Sequence, residues 1–198
     1  NTEAGQPPGL IVCAGSSLCL PLPPLQVYNL LKDVDIRHQW DVLCHGNPVA
    51  EVACLVTGAD RKNCVNILQP SSSASENAEM MIIQDSFIDA LGGMMVYAPV
   101  DLNTAYAAIS GQVDPAGIPI LPSGFIISRD TRPSTAEPVE GGPDNSSTLL
   151  TVAFQILVSG PTTHSGELNL EMSTATVNTL ISSTVQRVKA MLNCNDVQ

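Results

Sequence analysis

Basic residues are scarce in this chain of 198 residues. Eight Lys and Arg stand against 19 Asp and Glu, so the formal net charge is −11. Duplex DNA binding depends on Lys and Arg that neutralise phosphates. The densest basic group is the pair Arg61-Lys62, which we interpret as a solvated hairpin turn because no basic stripe surrounds it. The chain alone is predicted to be a poor binder of nucleic acid and of acidic membranes.

Long hydrophobic runs and a secretory signal are also missing. The longest apolar stretches, Met80–Ile83 and Leu149–Val158, have the length of a strand rather than of a membrane span. The absence of an initiator Met suggests a fragment of a longer protein. With 44% apolar and 14% charged residues, the composition is that of a globular domain. A chain of this length supports one core without disulfides or metal ions.

The six cysteines show no metal-binding or disulfide pattern. They occupy positions 13, 19, 44, 54, 64 and 194, without a C-x-x-C pair. We expect free thiols, mostly buried. Cys194, near the chain end, is predicted to be the most exposed and is the candidate redox-sensitive thiol.

One short segment combines residue types that can bind metal. It contains His38, Asp41, Cys44 and His45. The two histidines are seven residues apart, and the following Gly46 and Asn47-Pro48 argue against one continuous helix. We therefore predict no metal site, and instead a surface helix end with Trp40 turned into the core.

Catalytic motifs are absent as well. The sequence has no G-x-S-x-G nucleophile turn, no G-x-G-x-x-G and no phosphate loop. His164 lies in a polar stretch without a recognisable partner. Asp85, Asp89 and Asp101 could be brought together by the fold, although such carboxylates are more often solvated. The prediction is a non-enzyme without a cofactor.

Hydrophobic periodicity predicts strands and helices in a definite order. The predicted strands are 10–20, 49–57, 63–69, 79–88, 93–99, 118–128 and 149–158. The predicted helices are 25–32, 33–40, 102–110 and a long C-terminal helix capped by Ser173 or Thr174. The strand 149–158 is expected to be covered on both faces or to lie at the sheet centre. This order predicts an α+β helix-grip fold, with a curved antiparallel sheet around the C-terminal helix.

The domain organisation follows from composition. We predict a leader at 1–9, a single domain at 10–194 with a flexible loop at 129–147, and a tail at 195–198. A helix closing over a curved sheet can leave an apolar pocket. The candidate pocket-lining residues are Tyr97, Phe125, Phe154, Val177, Ile181 and Val185. The same residues could instead fill the core, which we favour, and both alternatives stay open at this point.

Several motifs resemble one plant protein family. They include Pro7-Pro8-Gly9, Leu20-Pro21, Val27-Tyr28, Arg37 before Trp40-Asp41, and His45-Gly46. Further matches are the segments 96–101, 121–125, 149–158, 176–178 and 185–189. Together they cover nearly the whole chain and resemble the START-adjacent region that follows the START domain in class IV homeodomain leucine-zipper transcription factors. Leu18-Cys19, His45 and the longer 129–147 loop depart from that pattern.

The resemblance implies a non-catalytic regulatory and homodimerisation module. Its parents would be nuclear plant regulators of epidermal cell fate that bind DNA through a homeodomain absent here. It also implies a START-like fold, no cofactor, no membrane and a homodimer as the partner state. The alternative is a START-like receptor that binds a lipid or hydrophobic metabolite in an internal pocket.

Overall fold

The computed structural model describes residues 10–71, 80–131, 146–158 and 170–194. Within them lie strands β1 Leu10–Leu20, β2 Val49–Val56, β3 Cys64–Pro70, β4 Met80–Ile88, β5 Gly92–Asp101, β6 Ser123–Arg129 and β7 Thr148–Val158. The α-helices are α1 Pro24–Lys32, α2 Arg37–Trp40, α3 Leu102–Ile109 and α4 Leu170–Met191. Short 3-10 turns occupy Val42–Cys44 and Pro115–Gly117.

All seven strands form one antiparallel sheet in the order β1-β7-β6-β5-β4-β3-β2. The first strand, β1, pairs with the last strand, β7, along its whole length, from Leu10↔Val158 to Leu20↔Thr148. Strands β1 and β2 are therefore the two edges. The curved sheet with its C-terminal helix confirms the predicted α+β helix-grip fold.

One face of the sheet, here called the inner face, carries the core. Because side chains alternate along a strand, β5, β6 and β7 each send every second residue inward. Helix α4 packs against β1, β7 and α2, while α1 packs against β4, β5 and β6. Buried α4 residues recur at helical spacing: Val177, Ile181, Thr184 and Val188.

Local signals explain where the helices begin. Helix α1 has Pro24 in its first turn, where the missing N–H costs nothing. Asp101 caps α3, because its Oδ1 accepts the Thr104 N–H at 2.8 Å. Helix α3 packs against β4 and β5, where Met81, Ala98 and Val100 are buried on the opposite, outer face.

Three expectations about the elements were wrong. Strand β6 begins at Ser123 instead of 118, since Pro119 and Pro122 have no N–H to donate to a ladder. Helix α4 begins at Leu170, so Ser173 and Thr174 lie inside it and do not cap it. The second helix covers only Arg37–Trp40 of the predicted 33–40.

Strand β7 also differs from its prediction. It is the second strand from an edge, and its outer face is open, with Leu149 and Ala153 exposed. The apolar run 149–158 therefore forms a strand that is buried on its inner face only. Much of the predicted loop 129–147, the leader 1–9 and the tail 195–198 lie outside the described residues, as does His164. No helix in the described ranges is long and apolar enough to cross a bilayer.

Candidate functional site

A buried ion pair lies at the centre of the inner face. Arg37 of α2 is 2% exposed and Asp41, directly after α2, is 0% exposed. Arg37 Nε donates to Asp41 Oδ2 at 2.9 Å, and Arg37 Nη1 donates to Oε1 of Gln84 on β4. These contacts tie the short helix α2 to the middle of the sheet.

Aromatic rings enclose this pair. The guanidinium carbon of Arg37 lies 4.8 Å from the ring centroids of both Trp40 and Tyr97, which is cation–π distance. Trp40 also meets Phe125 edge to face, with centroids 5.2 Å apart. Trp40 is 0% exposed, as predicted for the core. The rings and the guanidinium therefore pack directly against one another.

Three donors around Arg37 lack a hydrogen-bond acceptor among the described residues: Arg37 Nη2, Trp40 Nε1 and the Tyr97 hydroxyl. Buried polar groups are normally paired. The cluster therefore has hydrogen-bonding capacity that the protein atoms do not use. Either water or the polar group of a small ligand has the chemistry to use it.

Two groups of the cluster, Cys44 and Tyr97, have pKa values raised further above neutral pH. Burial, followed by the neighbouring Asp41 carboxylate, raises the pKa of the Cys44 thiol to about 12. The same two causes, in the same order, hold the pKa of Tyr97 well above its usual value of 10. Catalytic acids and bases need pKa values near the working pH. Neither Cys44 nor Tyr97 meets that requirement at pH 7.

The carboxylates and metal-capable side chains have local structural contacts. Asp41, besides Arg37, accepts the Leu43 N–H at 2.9 Å and receives the Cys44 thiol at 3.4 Å. Asp89 accepts the Leu91 N–H in the β4–β5 turn, while Asp85 is exposed on β4. Among the described residues no three His, Cys, Asp or Glu side chains group as a metal site.

The six predicted pocket residues all lie on the inner face or on the helix above it. Tyr97 and Phe125 are stacked with ring centroids 6.3 Å apart. Phe154, Val177 and Ile181 are buried, and Val185 is half-buried. Whether they line a ligand pocket stays a prediction.

Two of the concavities that border the described residues lie away from these six side chains. One, of about 110 Å³, is bordered by Cys44, Ile82 and Pro99. The other, of about 430 Å³, lies between the start of α1 and the β4–β5 turn. Neither is lined by any of the six predicted residues.

Sequence reasoning missed the burial of Arg37, Asp41 and Gln84. Charged and amide side chains are usually exposed, so the pattern alone assigned Asp41 to a surface helix end and gave no sign that Arg37 or Gln84, on the predicted strand 79–88, is buried. The usable signal was the spacing of Arg37 and Asp41, which are four residues apart and thus neighbours on one helical turn.

Strand β2 is the second notable feature. Every residue from Ala50 to Val56 is exposed, and among the described strands β2 pairs with β3 alone. Val52, Leu55 and Val56 are 53%, 68% and 45% exposed. An edge strand with exposed apolar side chains and unpaired backbone groups is a template for another strand.

The exposure of the thiols corrects one prediction. Cys194 is 6% exposed, and its Sγ donates to the Leu192 carbonyl at 3.2 Å. Cys13 and Cys54 are the exposed thiols. The prediction that Cys194 is the most exposed was wrong because the chain after α4 turns back against the core.

The chain matches a protein family along nearly its whole length. Residues 1–194 match the family model described as "PDF2-like, C-terminal domain". The homeobox-leucine zipper proteins HDG10 and HDG9 of Arabidopsis thaliana are each 69% identical over 194 residues, which is 98% of this chain and 26% of theirs. The rice homeobox-leucine zipper protein ROC8 is 43% identical over 98% of this chain. The chain thus spans about a quarter of these curated relatives.

Solved structures of similar shape are distant in sequence. The Zhui aromatase/cyclase from Streptomyces sp. R1128 is 12% identical, with a TM-score of 0.43 over 93% of this chain and 94% of that one. A START superfamily protein from Mycobacterium smegmatis is 14% identical, with a TM-score of 0.36 over 88% of this chain and 97% of that one. The matched sequences carry the assignment: this chain belongs to the PDF2-like C-terminal domain family of the plant class IV homeobox-leucine zipper proteins.

Proposed function

We propose that this domain is a non-catalytic regulatory module that holds two copies of a plant homeobox-leucine zipper transcription factor together through strand β2. The observation that supports it is the continuous exposure of β2 at a sheet edge. Two β2 strands related by a two-fold axis run antiparallel, so each presents the same surface to the other. Such pairing would satisfy the unpaired backbone groups and bury the apolar side chains.

The charge distribution is compatible with a second copy as the partner. Each copy carries a net charge of −11, so two copies repel each other across most of their surfaces. Glu51 is the sole charged residue of β2, and its Oε2 already accepts from Asn66 Nδ2 at 2.7 Å. Strand β2 is thus a surface on which two acidic copies can meet with little local repulsion.

The parent protein sets the wider role. We propose that it acts in the nucleus, controls epidermal cell fate, and contacts DNA through its homeodomain and not through this domain. The shortage of basic residues supports the last point. The buried, neutral Cys44 and Tyr97 support a non-enzymatic role.

Size exclusion with light scattering tests the dimer. The chain is expected to be dimeric at tens of micromolar. Leu55→Lys should yield monomer, because a cation on the strand edge blocks pairing. Leu91→Lys is the matched control: Leu91 is 88% exposed in the β4–β5 turn, so its variant should stay dimeric. The proposal is overturned if the unsubstituted domain is monomeric, or if the two variants have the same oligomeric state.

A receptor for a lipid or hydrophobic metabolite is the second candidate function. The unpaired donors of Arg37, Trp40 and Tyr97 favour it, since a ligand needs a few convergent polar groups. The close packing of aromatic rings around Arg37 opposes it. The 110 Å³ concavity is below the roughly 300 Å³ of ordinary ligand sites, and the 430 Å³ concavity is lined by none of these three donors. Native mass spectrometry of the gently purified chain decides: a co-purified lipid supports the receptor, and bare protein opposes it.

A further inference from the structure

The β2–β3 hairpin brings two cysteines onto one face of the sheet. Cys54 pairs with Asn66, and Val56 pairs with Cys64, so Cys54 and Cys64 are diagonal neighbours. The Cys64 Sγ donates to Oδ1 of Asn66, the residue directly across from Cys54, at 3.0 Å. The register therefore places the two thiols side by side on the same face of the hairpin. Desolvation, and next the neighbouring Cys64 thiol, raise the pKa of Cys54.

The two cysteines differ in their surroundings. Cys54 is exposed, whereas Cys64 is 1% exposed. Lys32, in the last turn of α1, donates to the Lys62 carbonyl, and the Cys64 Sγ lies 4.0 Å from the same oxygen. One thiol can thus meet an oxidant from solvent, while the other is held beside it in the protein interior.

We propose that Cys54 and Cys64 form an oxidisable dithiol, with a peroxide as oxidant and an intramolecular disulfide as product. Peroxide converts the Cys54 thiol to a sulfenic acid and releases one water. The Cys64 sulfur then attacks the Cys54 sulfur, the S–S bond forms, and the sulfenic oxygen leaves as a second water with the Cys64 proton. Two electrons pass from the sulfur pair to the peroxide.

The position of β2 suits a reversible bond. Diagonal neighbours in a ladder have Cα atoms about 7–8 Å apart, whereas disulfides need roughly 4.4–6.8 Å. Closure must therefore draw β2 toward Cys64. As an edge strand with a register shift between Glu51 and Ala53, β2 pairs with one strand, β3, among the described residues. A strained disulfide is readily reduced, which fits a protein of a reducing compartment. Cys54 lies on β2, so the inference concerns a copy whose β2 edge is not covered by a second copy.

Peptide mapping after treatment with hydrogen peroxide tests the inference. Trypsin cuts after Arg61 and Lys62, and a glutamate-specific protease cuts after Glu51. The double digest therefore places Cys44, Cys54 and Cys64 on separate peptides. The expected product joins the Cys54 and Cys64 peptides with loss of two hydrogen atoms, and dithiothreitol should restore both thiols.

Matched variants show whether disulfide formation requires the Cys54–Cys64 pair or only an exposed cysteine. Cys13 is also exposed, but it pairs with Gln155 and has no cysteine across the ladder. Cys13→Ser should leave the link intact, whereas Cys54→Ser, a mild change at an exposed position, should abolish it.

Two results would overturn the inference. In one, Cys54 accumulates as a sulfenic acid or higher oxide while Cys64 stays a thiol. In the other, the main product joins the Cys54 residues of two copies, an outcome that supports the β2 dimer instead.

Discussion

Arg37 and Asp41 form an ion pair 2.9 Å long whose two side chains are 2% and 0% exposed. A buried pair of this kind is costly to break from one side, because the remaining charge stays in the protein without a counter-charge. Around it pack Trp40 and Tyr97. The stability of the inner face therefore depends on charge compensation as well as on apolar packing.

Removing one charge of this pair should destabilise the domain strongly. Asp41→Asn keeps an oxygen for the Leu43 N–H but leaves Arg37 uncompensated, so we expect a loss of about 3–5 kcal/mol. Urea unfolding followed by circular dichroism and by the fluorescence of Trp40, the single tryptophan, measures it. Combining Arg37→Met with Asp41→Asn should cost less than the sum of the two, by about 0.5–3 kcal/mol. Strictly additive losses would contradict the coupling.

Alkaline pH should destabilise the fold through Cys44. Its pKa rises from 9.0 to about 12 in the folded state, so between these values the unfolded chain loses a proton that the folded chain keeps. Stability contributed by the protonated thiol is complete below pH 9 and falls as pH rises toward 12. The slope is at most about 1.4 kcal/mol per pH unit.

Urea unfolding of the parent chain and of Cys44→Ala between pH 8 and 11, under reducing conditions, checks this. The variant starts less stable but should lose stability less steeply with pH. Parallel curves for the two proteins would show that Cys44 does not titrate differently in the folded and unfolded states.

A glycine in β6 should tolerate no side chain. A Cβ on Gly124 would lie 2.3 Å from the Met95 carbonyl oxygen and 3.0 Å from Val96 Cα, both backbone atoms of β5. Strand β5 would have to shift, so Gly124→Ala should cost about 1–3 kcal/mol.

The control is the same change in β1. A Cβ on Gly15 would lie 3.4 Å from its nearest atom, the Val152 oxygen, which is an ordinary contact. Gly15→Ala should be neutral or stabilise by up to about 1 kcal/mol, because it restricts the unfolded chain. Equal losses at both positions would refute the steric explanation. Thermal melts of the two variants provide the comparison.

The sequence pattern predicted the number and order of the described strands but not the buried polar cluster. Strand β1 was predicted with its observed bounds, since a β-rich run ends at Pro21. The sequence did not predict the burial of Arg37, Asp41 and Gln84, because it depends on contacts between α2 and β4. Arg37 and Gln84, which meet there, are 47 residues apart in the chain. Such pairing is tertiary and leaves no periodic pattern. The exposure of β2 was equally invisible, because its residues resemble those of a covered strand.

Salt should strengthen the proposed dimer. Two copies with a net charge of −11 each repel over a screening length of about 10 Å at 0.1 M salt and about 3 Å at 1 M. If β2 is the contact, with Glu51 as its sole charge, added salt mainly screens the repulsion between the two acidic copies. It weakens few attractive charge pairs, because the contact contains almost none. The dissociation constant, measured by sedimentation equilibrium, should therefore fall as sodium chloride rises.

Two neutralising variants separate local from overall charge. Glu51→Gln and Asp85→Asn each remove one negative charge, but only Glu51 lies on β2, while Asp85 is exposed on β4. Glu51→Gln retains an oxygen for Asn66 Nδ2, so the strand keeps its support. It should tighten the dimer more than Asp85→Asn does and flatten its salt dependence. Equal effects would mean that the contact lies away from β2, and weakening by salt would mean that opposite charges hold the copies together.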